Sequence, residues 1–95
     1  MRSEQITLIS GDARHTIFAD MKAVGVTEYY QAQQVGYTAE AKCEVYRAEF
    51  AGQQFAEING KRYKIIRIGN AKSHDKITLT LSDLSQGGDG MVGFL

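Results

Sequence analysis

The side chains with which this chain could do chemistry are few: His15, Cys43, His74 and the carboxylates Glu40, Glu44, Glu49 and Glu57. A structural zinc site takes four His, Cys or acidic ligands and a catalytic one takes three, usually at short spacings. Here the two histidines stand 59 residues apart, and neither has ligand spacing to the single cysteine. Cys43 lies in an alternating apolar row without a histidine nearby in sequence to activate it, so it reads as a small buried hydrophobe. Glu40, Glu44 and Glu49 alternate with Lys42 and Arg47, as on the solvated face of a strand with cross-strand ion pairs. Gly87-Gly-Asp-Gly90 is glycine-rich but leads into no helical pattern, so it is no phosphate cradle. No nucleophile elbow or dinucleotide fingerprint occurs either. The residues predict a protein that is not an enzyme and carries no cofactor or metal.

Eleven basic and eleven acidic residues give no net charge, and the two signs are interspersed. Proteins that hold DNA by its phosphates usually show a basic stripe. The nearest approach is Lys61-Arg-Tyr-Lys64 with Arg67, which reads as a solvated strand face because Glu49 and Glu57 lie close in sequence. No run reaches the roughly 20 apolar residues of a membrane span, and the Met1-Arg-Ser-Glu start lacks a signal-peptide pattern. With a single cysteine, the expectation is a soluble chain made in a reducing cytoplasm, without membrane contact.

At 95 residues the chain is expected to form one domain around a modest core. It has no proline, which suits paired strands, and the six of its ten glycines up to Gly69 fall at the spacing of strand ends in a small barrel or sandwich. Gln5–Ile9 reads as a short strand, closed by Ser10-Gly-Asp12. Arg14–Val24 reads as a longer one, with Ile17, Ala19, Met21 and Ala23 on one face under period-two alternation. Phe18 and Val24 on the opposite face imply partial cover by another element or subunit. Thr27 offers an N-cap and Gly36 a left-handed C′ position, so Glu28–Val35 is a conditional helix of about two turns, ordered only if something packs on it. Thr38–Phe50 is the longest strand candidate, with Ala39, Ala41, Cys43 and Val45 inward.

Asn59-Gly60 is the strongest local signal, because a type I′ hairpin needs positive φ at both central residues. The returning strand Lys61–Ile68 is apolar on both faces, with Tyr63 and Ile65 on one and Ile66 and Ile68 on the other. Lys76–Leu84 alternates cleanly, with Ile77, Leu79 and Leu81 inward. The predicted core is Ile6, Leu8, Ile17, Ala41, Cys43, Val45, Ile65, Ile77, Leu79 and Leu81. The expected fold is mainly β: a five- or six-stranded antiparallel barrel, SH3- or OB-like, over residues 1–84. One short helix sits in a loop insertion at about 25–38, and residues 85–95 form a flexible glycine-rich tail ending in the apolar Met91–Leu95.

What is unusual is the surface offered for contact: five tyrosines and four phenylalanines, several of them on strand faces that should be polar, such as Phe18 and Tyr46. Aromatics concentrate at interface centres.

The order of Glu28-Tyr-Tyr-Gln-Ala-Gln-Gln-Val35, the strand around Ala41–Val45, the Ile58-Asn-Gly-Lys-Arg-Tyr-Lys-Ile65 hairpin and the closing Ile77–Leu81 strand resembles the head–tail joining proteins of tailed bacteriophages. These are also called head-closure or stopper proteins, and the likeness covers a little over half the chain. The resemblance implies a small barrel that self-associates into a ring on assembly below the portal and adaptor proteins, retains the packaged genome and docks the tail. The protein would then be a virion component at the head–tail interface, made in the host cytoplasm, meeting packaged DNA only incidentally. By the same likeness Glu28, Tyr29, Tyr30, Ala32, Gln33 and Gln34 belong to a partner or lumen loop that orders on assembly. Asn59, Gly60, Lys61, Tyr63 and Ile65 belong to the structural hairpin. The chain departs from the pattern in its short start, in His15-Thr-Ile-Phe-Ala19 where relatives carry an aromatic signature, and in its glycine tail. A tail-completion or tail-terminator role is the neighbouring alternative. A small cellular barrel that binds a peptide or single-stranded nucleic acid is the alternative from another class.

Overall fold

In the computed structural model, which describes residues 2–83, period-two alternation is realised as six strands. They are β1 (Arg2–Ser10), β2 (Ala13–Lys22), β3 (Ala41–Tyr46), β4 (Phe55–Ile58), β5 (Lys61–Asn70) and β6 (Lys76–Asp83). One helix, α1 (Val26–Gln34), joins β2 to β3. All pairings are antiparallel, and the order β1-β2-β3-β6-β5-β4 closes on itself through β4 and β1. The fold is therefore the small antiparallel barrel with a short helix in an inter-strand connection. The expected tail, 85–95, lies outside the described residues.

The inward rows make the core. Leu8, Cys43, Ala56, Leu79 and Leu81 are fully buried, and Ile6, Ala19, Val45 and Ile77 nearly so. Burying each of the larger aliphatics contributes about 1.5–3 kcal/mol. Eight of the expected core residues are buried, namely Ile6, Leu8, Ile17, Cys43, Val45, Ile77, Leu79 and Leu81. Ala41 and Ile65 only pack against the core from its margin. Ile9, Ala19, Ala39, Ala56 and Ile58 are further buried positions.

Two hairpins follow turn chemistry. Gly11 takes φ 58° between β1 and β2. Asn59 and Gly60 take φ 53° and 81° between β4 and β5, the pair of positive values that a type I′ turn requires.

Three elements depart from expectation. The long strand expected over Thr38–Phe50 is cut to Ala41–Tyr46, and Arg47–Glu49 forms a 3₁₀ turn. The Arg47 N–H donates to the Asp75 carbonyl at 2.7 Å and the Phe50 N–H to the Arg47 carbonyl at 3.2 Å, so the chain curls and returns Phe50 to the core. The helix starts at Val26 with Gly25, not Thr27, as its N-cap. In β5 a register shift between Ile65 and Arg67 marks a bulge at Ile66. A bulge bends a strand and re-aims its side chains, so the strand is not covered on both faces: Tyr63 and Ile65 meet the core, whereas Ile68 is exposed.

Candidate interaction surface

Helix α1 is held in place by caps, a small contact and two side-chain bridges. At its start the Gly25 N–H donates to Glu28 Oε1 at 2.9 Å, the half of a capping box that a glycine can form. At its end Gly36 takes φ 89°, the Tyr37 N–H donates to the Ala32 carbonyl at 2.9 Å, and the Gly36 N–H donates to the Gln33 carbonyl at 3.1 Å. These two bonds form a Schellman motif, which satisfies carbonyls the helix would leave unpaired.

Among the helix residues Ala32 alone is buried. A cleft of about 140 Å³ beside it is walled by Val35 at the C-cap of the helix, Ile66 of β5 and Thr80 of β6. The bulge presents Ile66 to this cleft, and the helix explains why the outward-facing Thr80 is buried. Glu28 lies 2.9 Å from Lys42 Nζ on β3, and Gln31 accepts a hydrogen bond from Arg67 on β5. Partial burial pushes the Glu28 carboxyl up, but the Gly25 N–H, Lys42 and Arg67 together outweigh it and hold the group below its ordinary value. Just past the helix, Lys64 donates to Tyr37 Oη at 2.8 Å, with its ammonium 5.0 Å from a tyrosine ring centroid, that of Tyr37 itself.

The expected loop residues therefore divide by role. Glu28 and Ala32 face the barrel. Tyr29 and Tyr30 pack edge to face, centroids 6.2 Å apart, and Gln33 Nε2 donates to Tyr29 Oη at 3.3 Å. Gln33 and Gln34 are exposed. Val26, Tyr30 and Val35 expose 73%, 60% and 70% of their surface, an apolar display on a neutral protein. The hairpin residues stand apart from this helix. Lys61 bridges to Asp83 at 2.8 Å, with its ammonium 5.3 Å from the Tyr63 ring centroid. The hydrogen bond to Asp83 raises the Lys61 pKa.

A second exposed aromatic pair lies on β2 and β3. Phe18 and Tyr46 expose 69% and 52% of their surface. Both line a cleft of about 370 Å³ with His15, Thr16, Ile17 and Glu49. His15 Nε2 is 2.6 Å from Glu49 Oε1, and Arg14 is 2.5 Å from Glu57, so the fold pairs residues that are 34 and 43 positions apart. Sequence spacing could not have revealed either pair, because both depend on which strands close the barrel.

Cys43 is buried and its thiol is pushed up to about 12 by burial, so at neutral pH it is a packed hydrophobe. No group of three or more His, Cys, Asp or Glu is placed to hold a metal among the described residues. No helix among them is long and apolar enough to cross a membrane. Compared with protein-family models, curated proteins and solved structures, the chain matches none.

Proposed function

We propose that this chain is a structural virion protein of a tailed phage or prophage, which closes the DNA-filled head and connects it to the tail as part of a ring below the portal or adaptor. The observation that carries this reading is the exposed apolar display of Val26 and Tyr30 on α1 and of Val35 at its C-cap, joined to the motif order described above. The second aromatic patch, Phe18 with Tyr46, supports it too, because a ring protomer needs one surface for each neighbour. Small contacts repeated around an axis add through multivalency, so neither patch has to be large. Net neutrality suits a protein whose main partners are proteins, with packaged DNA passing by. Portal or adaptor and tail proteins are the partners on this reading, and no catalytic step is required.

The capping and bridging of α1 favour a second reading, a barrel binding module that works as a monomer with its helix fixed. Such a module would recognise a peptide or single-stranded nucleic acid through its aromatics.

Sedimentation of the purified chain alone and with portal–adaptor complexes of the same phage separates the two. The head-closure reading expects closed rings only on the partner complex. A chain that ignores that complex and binds peptide or single-stranded nucleic acid as a monomer overturns it.

A further inference from the structure

Strand β5 carries the densest run of bases in the chain, Lys61-Arg-Tyr-Lys64 followed by Arg67. Sequence proximity sets Glu49 and Glu57 against them, but the fold engages both elsewhere. Glu49 lies 2.6 Å from His15. Glu57 stands across from Arg62 in register, yet its carboxylate is 2.5 Å from Arg14. Asp83 bridges Lys61 at 2.8 Å. The Asp83 hydrogen bond, with a smaller share from Glu40, raises the Lys61 pKa, so both acids act at that end of the strand. Glu28, which also feels the charge of Arg67, is bound to Lys42 at 2.9 Å.

Arg62, Lys64 and Arg67 are left with neutral partners. The Arg62 guanidinium lies 6.0 Å from the Phe55 ring centroid, Lys64 donates to Tyr37 Oη at 2.8 Å, and Arg67 donates to Gln31. A neutral partner yields to an incoming anion more readily than a carboxylate does, because charge-assisted hydrogen bonds are about twice as strong.

The bulge aligns these three charges. Lys64 is in register with Ser82, and Arg67 with Thr80, two residues away on β6. Residues two apart on a strand share a face. The extra residue Ile66 therefore turns Arg67 outward to join Arg62 and Lys64, where plain alternation would send it inward with Tyr63 and Ile65. Three cations then stand about 7 Å apart along one outward row. Two half-buried rings flank its middle: Phe55 is the partner of Lys64 across β4, and Tyr37 holds its ammonium.

We propose that this row binds single-stranded nucleic acid, with Arg62, Lys64 and Arg67 on successive phosphates and Phe55 and Tyr37 stacking unpaired bases. Net neutrality does not oppose this, because the acids Asp20 and Glu44 pair across β2 and β3, three and two strands round the barrel from β5. The site gives a location to the nucleic-acid contact of the second reading above, and it makes no use of the exposed apolar residues on which head closure rests.

The test is fluorescence anisotropy of a labelled oligothymidine of about 15 nucleotides with the full chain, between about 50 and 200 mM salt. The expected result is weak binding, on the order of 10–100 μM at the lower salt, with a log–log salt slope of about −2, from about 0.7 per phosphate. Arg62→Gln, Lys64→Gln and Arg67→Gln each weaken it several-fold and each bring the slope about 0.7 nearer zero. Phe55→Leu, which keeps apolar volume and removes the ring, weakens it five-fold or more with the slope unchanged. Lys76→Gln removes the same unit of charge four residues of β6 beyond the level of Arg67 and leaves binding as it is. Thermal transitions equal to the parent's show that each loss is of contact, and if one variant unfolds the others carry the test. No binding at the lower salt, or an equal loss in Lys76→Gln, overturns the site. Duplex DNA or inorganic polyphosphate bound as tightly, with Phe55→Leu without effect, overturns the single-stranded ligand. A monomer that binds peptide and no nucleic acid overturns the site and leaves the binding-module reading intact. Rings on portal–adaptor complexes without nucleic-acid binding overturn it and leave head closure intact.

Discussion

The Glu28 carboxylate lies 2.9 Å from the Lys42 ammonium, fastening helix α1 to strand β3 across the turn that separates them. Because one oxygen of Glu28 also accepts the Gly25 N–H, a single side chain both caps the helix and anchors it.

This anchor titrates. The folded Glu28 carboxyl is held below its ordinary value of 4.5, so its contribution is present above pH 4.5 and is lost as the pH falls below that. A partly exposed pair of this kind is worth at most about 1 kcal/mol. Amide exchange across Tyr29–Gln34 should quicken between pH 6 and pH 3.5, after correction for intrinsic rates, more than that of β6. Lys42→Met should quicken it already at pH 6. Equal rates in the variant and the parent would remove the bridge from the account.

The barrel core has little tolerance. Leu79 is fully buried and paired with Cys43 across β3 and β6. Leu79→Ala should cost about 2–5 kcal/mol in denaturant unfolding, and Leu79→Asp should abolish the native transition. A native transition in the aspartate variant would show that the inward face is misassigned.

Cys43 gives an independent check. Its thiol is raised by burial from 9.0 to about 12, so above pH 9 the unfolded chain releases a proton that the folded chain keeps. Stability therefore falls as the pH rises through that window. Cys43→Ala should lessen this alkaline loss, and a thiol reagent should label the parent only as fast as the barrel opens. Rapid labelling under native conditions would contradict the burial.

The hairpin turn should be sensitive to a branched side chain. Gly60 sits at φ 81° with open space around its Cα, so Gly60→Val is penalised by backbone strain alone, about 1–2 kcal/mol. Denaturant midpoints of the variant and the parent measure it, and an unchanged midpoint would rule out the type I′ geometry.

Much of this architecture is written locally. Alternation in Ile77-Thr-Leu-Thr-Leu81 and the Asn59-Gly60 pair demand a strand and a tight hairpin whatever surrounds them. The Gly36 cap is equally local, and the structure places it as the residues imply. What alternation does not carry is the point at which a partner strand leaves. The expected strand over Thr38–Phe50 stops at Tyr46 because Arg47 turns to bond Asp75 and His74, residues on a distant loop. The bulge at Ile66 is likewise invisible in a run of Ile65-Ile-Arg-Ile68, since only the register of β6 reveals it. Thr27 has the side chain for a cap, yet Gly25 holds the position because Glu28 reaches back to its N–H. At the candidate site, Tyr30 and Val35 could be recognised as apolar residues awaiting a partner. The Phe18–Tyr46 cleft needed the barrel to close before its two halves met.

The account's central claim is the proposal that this barrel closes a packaged head by contact, through the exposed apolar residues of α1 and its C-cap. A phage carrying Tyr29→Ser and Tyr30→Ser together in this chain tests it most directly, with electron microscopy of the lysate as the readout. Neither ring is in the core, so the barrel should stay folded, which a thermal transition on the purified variant verifies. The account predicts heads that fill with DNA and then leak it or fail to join tails. Intact, infectious virions at normal yield would contradict it.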